Sequence, residues 1–273
     1  MKRSPVQSVV IYSILIVAVL LAVFPLYWVI ATSLKLRVDV FKMPPVWFFK
    51  PTLDNFRLVL TSRFPGYFVN SLIISVGSLI VSLLIGVPTA YGLARLKTEK
   101  KRDIMFFILS TRMAPPAVFI IPFYILWSRL GLIDTHLSLI VMYSLFTISF
   151  VVWMMRSFFE EIPIEIEEAA WLDGCSRWGC FFKVSLPCVR GGLVAATILA
   201  ILLSWNEFFY ALILTAFDTK TMPVALPGYI GFVRMRWGEL CAAATIVVIP
   251  VVVFALIVQK NIVRGLVGSA IEE

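Results

Sequence analysis

A single histidine, His136, and four cysteines are all the nitrogen and thiolate ligands the chain can offer a zinc ion. Cys175, Cys180 and Cys188 lie within one polar segment and Cys241 stands apart, all distant from His136, so the ligand spacing of a zinc site is missing. Reduced, partly buried thiols are the simpler reading, and they suit a segment that faces a reducing compartment. There is no GxxxxGK[ST] run to cradle nucleotide phosphates, no HExxH and no GxSxG. The residues therefore predict neither a catalytic centre nor a cofactor bound by this chain. Charge is scarce too: Asp, Glu, Lys and Arg make up 15% of 273 residues, against about 25% in ordinary soluble domains. Hydrophobic residues fill the gap at 60%, with a mean hydropathy of +0.95. This composition describes an integral membrane protein. The net charge of +8 is carried by basic residues scattered around apolar runs, a pattern of membrane topology and not of nucleic-acid binding.

Six apolar runs are long enough to predict an all-α polytopic fold. The first, Val9 to Ser33, exceeds the apolar core of a signal peptide and lacks a convincing cleavage site, so it reads as a retained span bent near Pro25. The second covers about Phe68 to Ala94, with Ser71, Ser75, Gly77, Ser78, Ser82 and Gly86 on related faces, as in helices that pack closely on others. The third, about Ile104 to Trp127, is interrupted by Arg112, Pro115, Pro116 and Pro122; a double proline must break or kink it. The fourth, fifth and sixth run over about Leu137 to Met155, Gly191 to Ala216 and Leu240 to Val258. Proline- and aromatic-rich loops, Leu34 to Gly66 and Phe217 to Gly238, lie between spans.

The densest basic cluster, Arg95, Lys97, Lys100, Lys101 and Arg102, lies in a short loop, which the positive-inside rule makes cytoplasmic. Six spans then place both termini and the segment after the fourth span on that side too. Polar residues within spans are costly and mark either a pathway or a pairing inside the bundle. The candidates are Asn70, Arg112, Ser204, Asn206 and Glu207. For Arg112 a pathway role competes with an ion pair to Glu207 or with snorkelling. For Ser204, Asn206 and Glu207 it competes with interhelical hydrogen bonding.

The segment Glu160 to Pro187 is polar yet ordered. Pro163 suits the first turn of a helix, and Glu165, Glu167 and Glu168 place negative charge at its positive end. Ile166, Ala169, Ala170 and Asp173 fall on one face nearly bare of bulk, and Gly174 ends the run or admits another backbone. Leu186 before Pro187 predicts the close of a second short helix. Either this segment rests on the inner leaflet, with its acids against an anionic surface, or it docks on a soluble protein.

Glu168, Ala169, Ala170, then Gly174, then Val184, Leu186 and Pro187 resemble the EAA motif of permease subunits of ATP-binding cassette importers. That pattern is EAA, three residues, glycine, nine residues, Ile-x-Leu-Pro. Val184 stands for the isoleucine, Asp173 matches the common form, and Cys175 replaces the usual alanine. SLK at Ser33 to Lys35, PPVW at Pro44 to Trp47, TLDNF at Thr52 to Phe56, FVNSL at Phe68 to Leu72, AYGLARL at Ala90 to Leu96 and SWNEF at Ser204 to Phe208 are similar to the carbohydrate-uptake branch, in the class of the second permease of the maltose importer. STRMAPP, Ser110 to Pro116, is similar to sugar-alcohol importers.

The resemblance implies a single permease domain, 1–273, in a bacterial or archaeal cytoplasmic membrane, with 160–190 as its cytoplasmic coupling loop. It also implies a second permease as partner, two ATPase subunits that bind ATP and magnesium, and an extracytoplasmic sugar-binding protein that meets the two long outer loops. The ending GLVGSAIEE departs from the family's basic tail, which touches the ATPases. Two rivals stay open: an ion-gradient carrier, which would normally show related halves with matched broken helices, and a scaffold that only recruits a soluble complex.

Overall fold

The computed structural model describes residues 5–98, 100–231 and 235–268, with side chains placed from 7 to 257 outside the two gaps. Lys260, Arg264 and the tail from Gly265 to Glu273 thus lie outside the described side chains, as do Lys2 and Arg3. Apart from one isolated bridge between Ile230 and Met235, regular structure among the described residues is helical. The chain divides into two compact units, residues 1–66 with 225–249, and residues 67–224 with 250–273.

The first unit holds α1 (Pro5–Ser33), α2 (Arg37–Val40), α3 (Asp54–Leu60) and the start of α4 (Phe64–Arg95). A 3-10 turn (Leu226–Tyr229) and the first part of the last helix also belong to it. Valine, leucine and isoleucine cover α1 on all sides, and none of its most apolar window is buried, as befits a span facing lipid. It runs unbroken through Pro25. The loop after it is a folded cap, and the short motifs in it explain why. The Asn55 side-chain amide donates to the carbonyls of Ser33 (2.8 Å) and Lys35 (2.9 Å), and the Thr52 N–H donates to Leu34 (2.8 Å). Lys35 is 4% exposed, its ammonium lying over Trp28 at 4.7 Å and Phe49 at 5.2 Å; rings of this kind hold a desolvated cation. Trp47 stacks edge-on against Trp28 at 5.4 Å. A Cβ on Gly238 would lie 2.5 Å from Asn55 Oδ1, so only glycine lets that backbone approach.

The second unit contains most of α4, then α5 (Lys101–Met113), α6 (Pro116–Arg129) and α7 (His136–Glu160). The polar segment folds as α8 (Ile164–Leu172), α9 (Arg177–Cys180), a π-helical turn (Phe181–Ser185) and α10 (Leu186–Cys188). There follow α11 (Arg190–Trp205), α12 (Phe209–Leu214), α13 (Met222–Ala225) and the end of α14 (Trp237–Gly268). Half of the apolar window of α7 is buried, and the small residues of α4 let it approach. A Cβ on Gly77 would lie 2.7 Å from Ile140, and one on Gly86 would lie 2.8 Å from Val151. Ser78 donates to Ser204 across to α11 at 3.0 Å. The small residues of α4 therefore form its contact face.

Among the described residues, four helices are long and apolar enough to cross a membrane unbroken: 7–33, 64–95, 136–160 and 237–257. The third predicted span is two helices, α5 and α6, bent by 83° where Ala114 and Pro115 leave the helical geometry. A second bend, of 80°, separates 177–188 from 190–205. If each bent pair is one span the number rises to six. The fifth predicted span is itself shorter than expected, because α11 stops at Trp205 and α12 begins at Phe209.

Candidate functional site

Pro163 precedes α8, and its fixed geometry starts the helix as predicted. The helix closes on Gly174, whose φ of +86° is the left-handed conformation that disfavours any Cβ. The Gly174 N–H donates to Trp171 and the Cys175 N–H reaches back to Ala170, both at 3.0 Å, a closure that needs that conformation. A Cβ on Gly174 would meet nothing within 4 Å, so within this chain the glycine serves the turn and admits no neighbouring backbone. Ser176 caps α9 by accepting from the Gly179 N–H at 3.1 Å. The expected stop at Leu186 and Pro187 does not occur there. Leu186 is helical (φ −65°, ψ −42°), and the helical run ends only at Val189. The widened π turn just before Pro187 relieves the clash of its ring with the preceding carbonyls.

Glu168, Ala169, Asp173, Gly174 and Pro187 are exposed, while Ala170, Val184 and Leu186 are partly buried. Around them Leu172 is 89% and Trp178 65% exposed, an apolar surface that water does not favour. One acid departs from the expected pattern. Glu167 is fully buried instead of joining Glu165 and Glu168 on the outer face. Its carboxylate accepts from Arg95 Nη2 (2.8 Å), Arg95 Nε (3.0 Å), Ser185 Oγ (2.7 Å) and Tyr91 Oη (3.0 Å). Burial would push that carboxyl up; the Arg95 guanidinium, with Ser185 and Tyr91, pulls it below the ordinary carboxylate value. The Tyr91 ring lies against Phe159 and Phe181 at 5.4 and 5.0 Å, which keeps water from the pair.

The polar residues of the spans do not converge. Ser204 is buried between Ser78 (3.0 Å) and Thr147 (3.5 Å), an interhelical bond. The Asn70 amide donates to the carbonyls of Asp218 (2.8 Å) and Lys220 (3.1 Å), and its oxygen meets His136 Nε2 at 2.9 Å, so it fastens a loop. Glu207 caps α12, accepting from the N–H groups of Tyr210 (3.1 Å) and Ala211 (3.3 Å). Both its oxygens are thereby engaged, and the ion pair considered for Arg112 and Glu207 is not formed. Arg112 is exposed and lies over the Phe150 ring at 5.2 Å. Asn206 is exposed at the end of α11, its amide turned back to the Leu202 carbonyl at 2.8 Å. Among the described residues no three His, Cys, Asp or Glu side chains are placed to share a metal ion.

Residues 82–268 match the family described as binding-protein-dependent transport system inner membrane component. The chain belongs to this family. Among its relatives, the probable ABC transporter permease protein y4oR of Sinorhizobium fredii is 36% identical over 250 residues, 91% of this chain and 90% of that one. The trehalose/maltose transport system permease protein MalG of Thermococcus litoralis is 29% identical over 277 residues, 100% of this chain and 99% of its own. A chain in the crystal structure of a bacterial ABC transporter involved in the import of the acidic polysaccharide alginate has the same fold, with a TM-score of 0.79 at 24% identity, covering 95% of this chain and 99% of that one.

In this inner membrane component two features escaped the sequence. Glu167 reads there as one more acid in a first turn, and nothing local marks it for burial; the nearest basic residue of the segment, Arg177, is ten positions and nearly three helical turns away, out of reach along one helix face. The second is Asp134, in the turn between α6 and α7. It adopts φ +58° and accepts from the N–H groups of Phe217 (2.9 Å), Asp218 and Thr219 (both 3.0 Å) and from the Thr219 hydroxyl (2.7 Å). With Asn70 and His136 it closes a clasp on the loop after α12.

Proposed function

We propose that this chain is one of two permease subunits of an ATP-driven sugar importer, the whole of 1–273 acting as one membrane domain and 160–190 as its docking loop. One observation carries the reading: a nine-residue helix stands exposed between two long helices, closed by a left-handed glycine and presenting small and acidic residues. A nine-residue helix is not stable alone, and its surface suits insertion into a groove on another protein. Glu168, Ala169, Ala170, Asp173 and Gly174 would enter a cleft on an ATPase subunit, with Val184, Leu186 and Pro187 supporting them from behind.

Six spans would place the loop and both termini in the cytoplasm. ATP and magnesium would be held by the two ATPase subunits, whose closure turns the paired permeases from inward-facing to outward-facing. A soluble sugar-binding protein would deliver substrate from the other side. The trehalose and maltose transport of the Thermococcus relative supports a sugar as substrate, and the STRMAPP stretch extends this to sugar alcohols. For the path itself, Arg112 beside the α5–α6 break and the exposed Asn206 are the candidates, whereas Asn70, Ser204 and Glu207 hold the frame around it.

Vesicles containing the assembled importer test this. ATP inside the cytoplasmic face and binding protein on the other are expected to drive sugar uptake. Uptake that follows an imposed proton or sodium gradient without ATP would replace the proposal with a secondary carrier, and no uptake under either condition would leave a scaffold.

A further inference from the structure

We propose that the pair of Arg95 with the buried Glu167 is the joint through which α8 moves α4, which makes both residues positioning residues for coupling. The inference rests on the reading that α8 docks on an ATPase. A helix of nine residues with one face in water can swing unless something fixes its orientation. Glu167 is the buried polar residue of α8, and it points at the last residue of α4. Arg95 meets it with two parallel bonds, Nη2 to Oε1 at 2.8 Å and Nε to Oε2 at 3.0 Å. Two parallel bonds between planar groups fix rotation as well as distance, which a single ammonium contact cannot do. The same Nη2 also donates to the Ile162 carbonyl at 3.2 Å, so one guanidinium clamps the turn before α8 and α8 itself.

The other two donors extend the joint. Tyr91, one turn earlier on α4, gives that helix a second hold, and Ser185 brings in the π turn ahead of Pro187. Stretches far apart in sequence thus meet at one carboxylate inside an aromatic surround of Phe159 and Phe181. A buried ion pair is weak evidence of stability, since well-packed apolar residues commonly replace one without loss. Orientation is what this pair supplies. From Arg95 the motion passes along α4, whose close approaches to α7 at Gly77 and Gly86 and whose Ser78–Ser204 bond to α11 hand it to the bundle.

The test uses the assembled importer in vesicles and reads sugar imported per ATP hydrolysed. Glu167→Gln keeps the size of the side chain and removes its charge. ATPase subunits are expected to co-purify and hydrolysis to continue, while import per ATP falls at least about fivefold, the low end of an ordinary coupling energy. Arg95→Lys keeps the charge without the two-pronged bond, and its ratio is expected between the two. A spin label on Leu172→Cys and another on Thr98→Cys, with native cysteines replaced by serine, should give a narrow distance distribution in the parent and a broad one with Glu167→Gln. An unchanged ratio with a narrow distribution would overturn the joint. If Glu167→Gln does not assemble, the double variant Arg95→Met with Glu167→Met leaves no orphaned charge. Assembly with uncoupled hydrolysis in that variant supports the joint, and assembly with full import overturns it. A parent chain that captures no ATPase sinks the docking reading and the joint together, whereas capture with an unchanged ratio sinks the joint alone.

Discussion

Asp134 shows how one residue can organise a loop that a sequence scan treats as a link. Aspartate tolerates φ +58° better than most side chains, and in that conformation its carboxylate collects the N–H groups of Phe217, Asp218 and Thr219. Burial pushes the carboxyl up; the N–H groups of Phe217 and Asp218, the Thr219 hydroxyl and the Ala216 N–H outweigh it and hold it well below the usual range. For a depressed carboxyl the stabilisation is present in full above the unfolded value, about 4, and is lost progressively as pH falls from there through the lower folded value. Stability from this clasp should therefore not change between neutral and mildly acid conditions. Asp134→Asn turns one acceptor into a donor facing N–H groups and removes the charge, which is expected to cost roughly 2 kcal/mol near pH 7. Scanning calorimetry of the solubilised protein would register it as a lower Tm whose difference from the parent narrows in strong acid. An equal Tm at neutral pH would mean that the loop is held by other contacts.

The legibility of the helices depended on whether their breaks were local. Pro115 and Pro116 announce the bend between α5 and α6 because each lacks an N–H and restricts its predecessor. The motifs of the first loop were visible as strings, but their convergence on Lys35 and Asn55 was not, since contacts 20 and 22 residues apart in sequence have no periodicity to betray them. The break at Asn206 carries no proline or glycine of its own and is stabilised by Glu207 capping the next helix, while the bend at Val189 follows a π turn and lies between Pro187 and the Gly191–Gly192 pair. Pro187 misled for the opposite reason, because the π turn absorbs it. The end of α8 at Gly174 is local, one of the two readings the glycine left open, and it yields a prediction. Aspartate tolerates the left-handed conformation and would meet nothing within 4 Å inside the chain. Gly174→Asp is therefore expected to keep the chain folded, with a stability loss of about 1 kcal/mol, yet to lose ATPase co-purification because a charge enters the docking contact. Normal capture together with normal import would show that Gly174 does not meet a partner.

For the whole molecule, the direction in which each bent pair runs decides the side on which α8 emerges. Take the N-terminus as cytoplasmic, α1 crossing outward and α4 crossing back. If the α5–α6 pair and the pair ending in α11 both cross, α7 returns to the cytoplasm and α8 emerges there. If neither crosses, α7 runs outward instead, and α8 emerges on the far side, although both termini still end on one side. Terminal tags alone would not separate the two arrangements, but the side of α8 does. The basic residues favour six spans, because Arg156, Arg177, Lys183 and Arg190 around α8 then join Arg95 to Arg102 on one face. Leu172, 89% exposed on α8, is a suitable reporter. In a background with native cysteines replaced by serine, Leu172→Cys should react with a membrane-impermeant maleimide in inside-out vesicles and stay unlabelled in intact spheroplasts. Labelling in intact spheroplasts would place α8 where no ATPase could reach it, and would rule out the docking proposal along with the six-span arrangement.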